Sequence, residues 1–170
     1  MTGFISHPRI VPGNVEERKY QLSMARGCVS GSTLIILPTG LGKTVVALLT
    51  IAEVLEKGGR VLVMAPTKPL VDQHASFFSD NLRNTTVASV TGNMSPEKRR
   101  IAVLSNDVVV STPQAVSNDL LNEVYDLSGF GLVVYDEAHR GTGNYAYVHV
   151  AERYNGLALG MTASPGSDIE

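Results

Sequence analysis

A three-layer α/β/α domain around a mainly parallel sheet is the fold class this 170-residue chain predicts, on two observations. The first is a set of six short apolar runs at 33–37 (TLIIL), 61–65 (VLVMA), 86–90 (TVASV), 107–111 (DVVVS), 131–135 (GLVVY) and 157–161 (LALGM). Most are continuous rather than alternating, and several are rich in Val and Ile, the pattern of strands covered on both faces. The second is their spacing. The starts lie 28, 25, 21, 24 and 26 residues apart, which suits βαβ repeats and is far too wide for a hairpin meander. Ligands of such sheets bind at the carboxyl ends of the strands.

The segments between the runs read as helices. Residues 1–15 look loop-like, and 16–29 reads as a helix leading into the first strand. Residues 43–57 carry Val45, Val46, Leu48, Leu49, Ile51, Ala52, Val54 and Leu55, too apolar for a surface helix, and Gly58-Gly59 ends them. Between Pro69 and Arg83, residues Leu70, His74, Phe77, Phe78 and Leu82 recur at helical spacing. Ser95-Pro96 and Thr112-Pro113 each pair an N-cap residue with a first-turn proline. No internal repeat, low-complexity tract or linker interrupts the chain, so residues 1–170 are expected to form a single domain.

Composition narrows the class. With 44% hydrophobic and 18% charged residues the chain can build a core, and a domain this size buries roughly 70% of its unfolded surface. Cys28 is the only cysteine, so no disulfide scaffold exists, as expected of a reducing cytoplasm. No apolar run nears the roughly 20 residues of a membrane helix, and Met1-Thr2-Gly3 does not begin a signal peptide. A net charge of −2 excludes a histone-like adhesive protein but leaves room for a local nucleic-acid groove. The expectation is a soluble intracellular domain.

The first predicted strand runs into Leu37-Pro38-Thr39-Gly40-Leu41-Gly42-Lys43-Thr44 and then into a helix, the context a P-loop requires. Gly40 and Gly42 let successive backbone N–H groups converge on one point, and the helix start adds its partial positive charge there. Lys43 supplies a full charge to the β- and γ-phosphates of a nucleoside triphosphate, and the Thr44 hydroxyl is a Mg²⁺ ligand. The strict pattern opens with Gly, and Leu37 stands in that place.

Ninety-two residues after Thr44, the fifth run ends in Asp136-Glu137-Ala138-His139. Adjacent carboxylates at the carboxyl end of a buried strand are costly unless a cation compensates them. Asp136 is therefore the candidate Mg²⁺ ligand and Glu137 the candidate base for the attacking water. The bland alternative is a cap on the next helix, and a neighbouring P-loop decides against it. His139 is a candidate link to the γ-phosphate, though a lone histidine more often serves a local hydrogen bond.

In order along the chain stand Arg18-Lys19-Tyr20-Gln21, LPTGLGKT, Ala65-Pro66-Thr67-Lys68-Pro69-Leu70, Thr91-Gly92, Ser111-Thr112-Pro113-Gln114, DEAH and Thr162-Ala163-Ser164-Pro165. This set resembles the first RecA-like motor domain of a superfamily 2 helicase. Its wording is most similar to the archaeal Hef and eukaryotic Fanconi anaemia group M helicases, from Pro8 to Ser167.

The resemblance implies an ATP- and Mg²⁺-dependent motor on forked or branched DNA, whose second RecA-like domain lies outside this chain. It implies that Arg18 and Gln21 read the adenine, and that Pro38, Thr39, Gly40, Leu41, Gly42, Lys43, Thr44 and His139 hold ATP. Thr67, Lys68, Thr91, Gly92, Thr112 and Pro113 would line a single-strand track, and Thr162 and Ser164 would relay hydrolysis to it. Taken singly, each track residue reads as a helix cap or turn, and Arg18–Gln21 as an ordinary polar helix. A duplex-RNA-activated ATPase and a non-catalytic nucleotide-binding scaffold are the competing functions. The run Lys98-Arg99-Arg100 is expected to be a solvated helix face, and Phe77, Phe78, Tyr145, Tyr147 and Tyr154 core or interface residues.

Overall fold

The computed structural model describes residues 3–37, 42–137 and 141–163. Helices and strands alternate strictly: α1 (Lys19–Ser30), β1 (Thr33–Leu37), α2 (Lys43–Glu56), β2 (Arg60–Met64), α3 (Lys68–Asn81) and β3 (Val87–Val90) come first. They are followed by α4 (Pro96–Ser105), β4 (Val108–Ser111), α5 (Pro113–Leu121), β5 (Phe130–Asp136), α6 (Gly141–Glu152) and β6 (Leu157–Ala163). The six strands form one sheet in the order β1-β6-β5-β2-β4-β3, and every pairing is parallel.

Each face of the sheet carries its own apolar cluster. Residues of α1, α2 and α3 pack with Val61, Val63, Val108, Val110, Leu132 and Val134 on one side. Residues of α4, α5 and α6 pack with Leu62, Met64, Val109, Val133 and Tyr135 on the other. Alternate residues of one strand therefore serve opposite cores, which is why the central strands read as unbroken Val-rich runs. Helix α2 buries nine of its residues, including Val46, Leu48 and Ile51, because α1 covers the face it turns from the sheet.

Local chemistry starts three of these helices. The hydroxyls of Thr67, Ser95 and Thr112 accept from the first-turn amides of Leu70, Lys98 and Ala115, three residues on, at 3.4, 3.2 and 3.4 Å, and each helix has a proline in its first turn. The helix expected at 16–29 starts later, at Lys19. Glu16 is held in an antiparallel bridge to Phe4, so the chain there is extended. Among the described residues no helix is long and apolar enough to cross a membrane.

Candidate nucleotide site

Strands β1 and β5 flank β6 in the sheet, and their carboxyl ends carry the P-loop sequence and the Asp136-Glu137 pair. The chain leaves β1 toward α2 on one face and leaves β5 toward α6 on the other. That divergence opens the crevice in which open α/β sheets bind ligands.

Gly42 caps α2 in the left-handed region, at φ 77° and ψ 41°. A side chain there would suffer both the left-handed conformation and a collision of its Cβ with Gln21 Nε2. Gln21 is buried, so α1 packs directly against the turn that starts α2. A cavity of about 390 Å³ opens beside this contact, lined by Arg18, Tyr20, Gln21, Gly42, Phe77 and Asn81 among others. Arg18 itself is exposed and pairs with Glu16 at 3.2 Å.

The Lys43 ammonium lies 2.7 Å from Glu137 Oε2 and 3.2 Å from Asp136 Oδ1. Burial would lower the lysine pKa, but the bond to Glu137 and the charge of Asp136 outweigh it and hold it above its usual value. Asp136 is almost fully buried, and burial alone would raise its pKa. The hydrogen bond from His74 and the charge of Lys43 reverse that, so the carboxyl sits below its ordinary range and is ionised.

Three elements fix Asp136. His74 on α3 places Nε2 2.6 Å from Oδ2, and the hydroxyl of Tyr147 on α6 donates to the Asp136 main-chain oxygen at 2.5 Å. Lys43 at the start of α2 pairs with Oδ1 at 3.2 Å. Glu137 follows with φ of 55°, a left-handed conformation costing a non-glycine residue about 1–3 kcal/mol. The expected alternative, a helix cap, does not describe the pair: Asp136 closes β5, and α6 begins only at Gly141.

Thr44 lies in the first turn of α2, half-buried. Thr162 is buried in β6 opposite Ile36 of β1, so it sits between the two functional strands. Pro38, Thr39, Gly40, Leu41, His139 and Ser164 lie outside the described residues.

The other half of the rim carries the expected strand track. β2, β4 and β3 are neighbours, and Met64 and Val90 both stand opposite Ser111, so these strands end level. Thr67, Thr112 and Thr91 with Gly92 follow those ends and form a row. Thr67, Lys68 and Gly92 are exposed, and Thr91 and Thr112 are half-exposed. Pro113 is buried at the first position of α5, where it shapes the helix start.

One expectation about side chains needs correction. The run at 98–100 is not uniformly a solvated face: Arg99 makes two 2.8 Å bonds to the buried Asp119 carboxylate and a further bond to Met94 O. Of the tyrosines expected in a core or an interface, Tyr147 and Tyr154 pack into the core and Tyr145 is 86% exposed. Sequence reasoning also missed His74 and Tyr147 as site residues. The available signal was a histidine within an otherwise apolar helical stripe, since a buried imidazole needs a partner.

Similarity agrees with this geometry. Residues 14–167 match the family described as type III restriction enzyme, res subunit. The helicase domain of Pyrococcus furiosus Hef superposes with a TM-score of 0.83 at 46% identity, over 88% of this chain and 34% of that one. A Methanocaldococcus jannaschii protein named as an ATP-dependent RNA helicase is 40% identical over 98% of this chain, which spans 22% of its length. The mouse Fanconi anemia group M protein homolog is 36% identical over 95% of this chain, which spans only 8% of it. The chain thus corresponds to a small part of these relatives, and it belongs to the superfamily 2 helicases of the type III restriction res-subunit family, on their Hef and Fanconi anaemia group M branch.

Proposed function

We propose that residues 1–170 are one RecA-like domain, the ATP-binding first motor domain of an ATP-dependent DNA helicase or translocase acting on forked or branched DNA. The observation that carries this reading is the cluster of Lys43, Asp136 and Glu137 at the carboxyl ends of β1 and β5. The relatives named ATP-dependent DNA helicase support DNA as the substrate.

The residues present fit a magnesium ion. Asp136 Oδ1 is a buried oxygen that faces the Lys43 ammonium at 3.2 Å, so the position in front of it already suits a cation. Asp136 and the Thr44 hydroxyl would hold the ion. When bound, it supplies neutralisation of charge on the phosphate oxygens.

The chain's own groups perform the rest. Amides at the start of α2, freed by the Gly42 turn, bind phosphate together with Lys43, whose ammonium leaves the carboxylates for the phosphates. Glu137, released from Lys43, accepts the proton of the attacking water. Arg18 and Gln21 take the adenine in the adjoining cavity. Pro38, Thr39, Gly40 and Leu41 wrap the phosphates, and His139, Thr162 and Ser164 relay the state of the site. Thr67, Lys68, Thr91, Gly92 and Thr112 hold the strand backbone, with Pro113 setting the helix start; such contacts carry little sequence information.

A second RecA-like domain in the parent protein supplies arginine to the γ-phosphate. That contact is worth roughly 10³–10⁵ in turnover, so the chain alone hydrolyses ATP feebly. Calorimetry with Mg²⁺ and ATP tests the reading. Saturable, Mg²⁺-dependent binding is expected, and its absence would sink the proposal. The relative named as an RNA helicase favours a second reading, a duplex-RNA-activated motor. Stimulation of the parent ATPase by forked DNA rather than duplex RNA decides between them.

A further inference from the structure

We propose that His74 is a positioning residue through which helix α3, starting at the candidate strand contacts Thr67 and Lys68, sets the orientation of the Asp136 carboxylate. The inference rests on the nucleotide-site reading above and extends it to a residue outside the P-loop and the acidic pair. His74 is buried, and its ring stacks on Phe78 with centroids 6.0 Å apart and planes 26° from parallel. Packing thus fixes the direction of Nε2, which meets Asp136 Oδ2 at 2.6 Å.

A carboxylate oxygen accepts, so the 2.6 Å contact calls for the imidazole proton on Nε2. Occupying Oδ2 leaves Oδ1 as the oxygen available to a cation, facing Lys43 and with no other hydrogen bond. Tyr147 holds the main-chain oxygen of the same residue, while His74 restrains the side-chain torsions that aim the carboxylate. A bond of this kind behind a ligand orients it and raises its affinity.

The geometry also joins two halves of the rim. His74 lies six residues beyond Lys68, roughly 9 Å along one helix at about 1.5 Å per residue. A backbone phosphate gripped at the start of α3 acts on the same rigid rod that carries the imidazole. Displacement of the rod changes the aim of Oδ1.

The test is calorimetry on the 170-residue chain with a non-hydrolysable ATP analogue across a Mg²⁺ series. His74→Ala should weaken the Mg²⁺ dependence by about 10–100-fold while leaving Mg²⁺-free analogue binding unchanged. His74→Gln, which keeps an N–H donor, should recover most of the loss. Nitrogen-15 NMR of the unmodified chain gives an answer independent of any variant's folding: Nε2 of His74 should be protonated and its signal should move when Mg²⁺ and analogue are added together. An unprotonated Nε2, or a His74→Ala variant with normal Mg²⁺ dependence beside a competent wild type, overturns this inference alone. A wild type without Mg²⁺-dependent binding overturns the proposed function with it.

Discussion

The Lys43 ammonium and the Glu137 carboxylate, ninety-four residues apart in the chain, meet at 2.7 Å. The proposed phosphate-binding cation and the proposed base are thus ion-pair partners in this structure. On the proposed reading a triphosphate would compete for the lysine and, in winning it, free the glutamate, so that base and cation would become available in the same event.

Lys43→Ala should bind ATP about 10–100-fold more weakly, since one charge-assisted contact is worth roughly 1.5–3 kcal/mol. The domain should stay folded, because His74 still holds Asp136. Calorimetry with circular dichroism separates the two effects; undiminished ATP affinity would remove Lys43 from the phosphate site.

Gly42→Ala attacks the turn rather than the charge. A left-handed alanine costs roughly 1–2 kcal/mol, and its Cβ displaces the Gln21 amide. Urea unfolding should show that loss, and ATP affinity should fall with it. A variant as stable as the parent would mean the turn differs from the one described.

Arg99 and Arg100 are neighbours with opposite fates. Arg99→Ala strands the buried Asp119 carboxylate and should cost about 3–5 kcal/mol. Arg100, half-exposed with only a 4.0 Å approach to Glu97, should cost less than about 1 kcal/mol. Equal urea midpoints for the two variants would contradict the pairing.

Lys68→Ala should weaken binding of single strands of any sequence to a similar degree and lower the salt slope by about one. Lys68 pairs with Asp72 at the surface, at 2.9 Å, so the exchange is inexpensive and stability should hardly change. Fluorescence anisotropy across a salt series checks it, and an unchanged slope would take Lys68 off the track.

Much of the fold was legible because its signals are local. Strands covered on both faces are apolar throughout, so six short apolar runs, several of them rich in Val and Ile, marked β1–β6 to within one or two residues. Thr67, Ser95 and Thr112 announced their helices because a cap and a first-turn proline act within four residues. The start of α1 was misjudged because Glu16 is claimed by Phe4, a pairing across the leader that no helical periodicity reveals.

What the chain determined by itself was the inventory: among the described residues six strands and six helices, with a glycine-rich strand-to-helix sequence and an acidic pair, each encoded within a few residues. Only tertiary structure decided which of them meet. The order β1-β6-β5-β2-β4-β3 brings Lys43 to Glu137, His74 to Asp136 and Arg99 to Asp119. Those meetings depend on how two apolar faces are shared among all the helices. The same histidine would read as a core residue or as a partner of Asp136 until the sheet order is known.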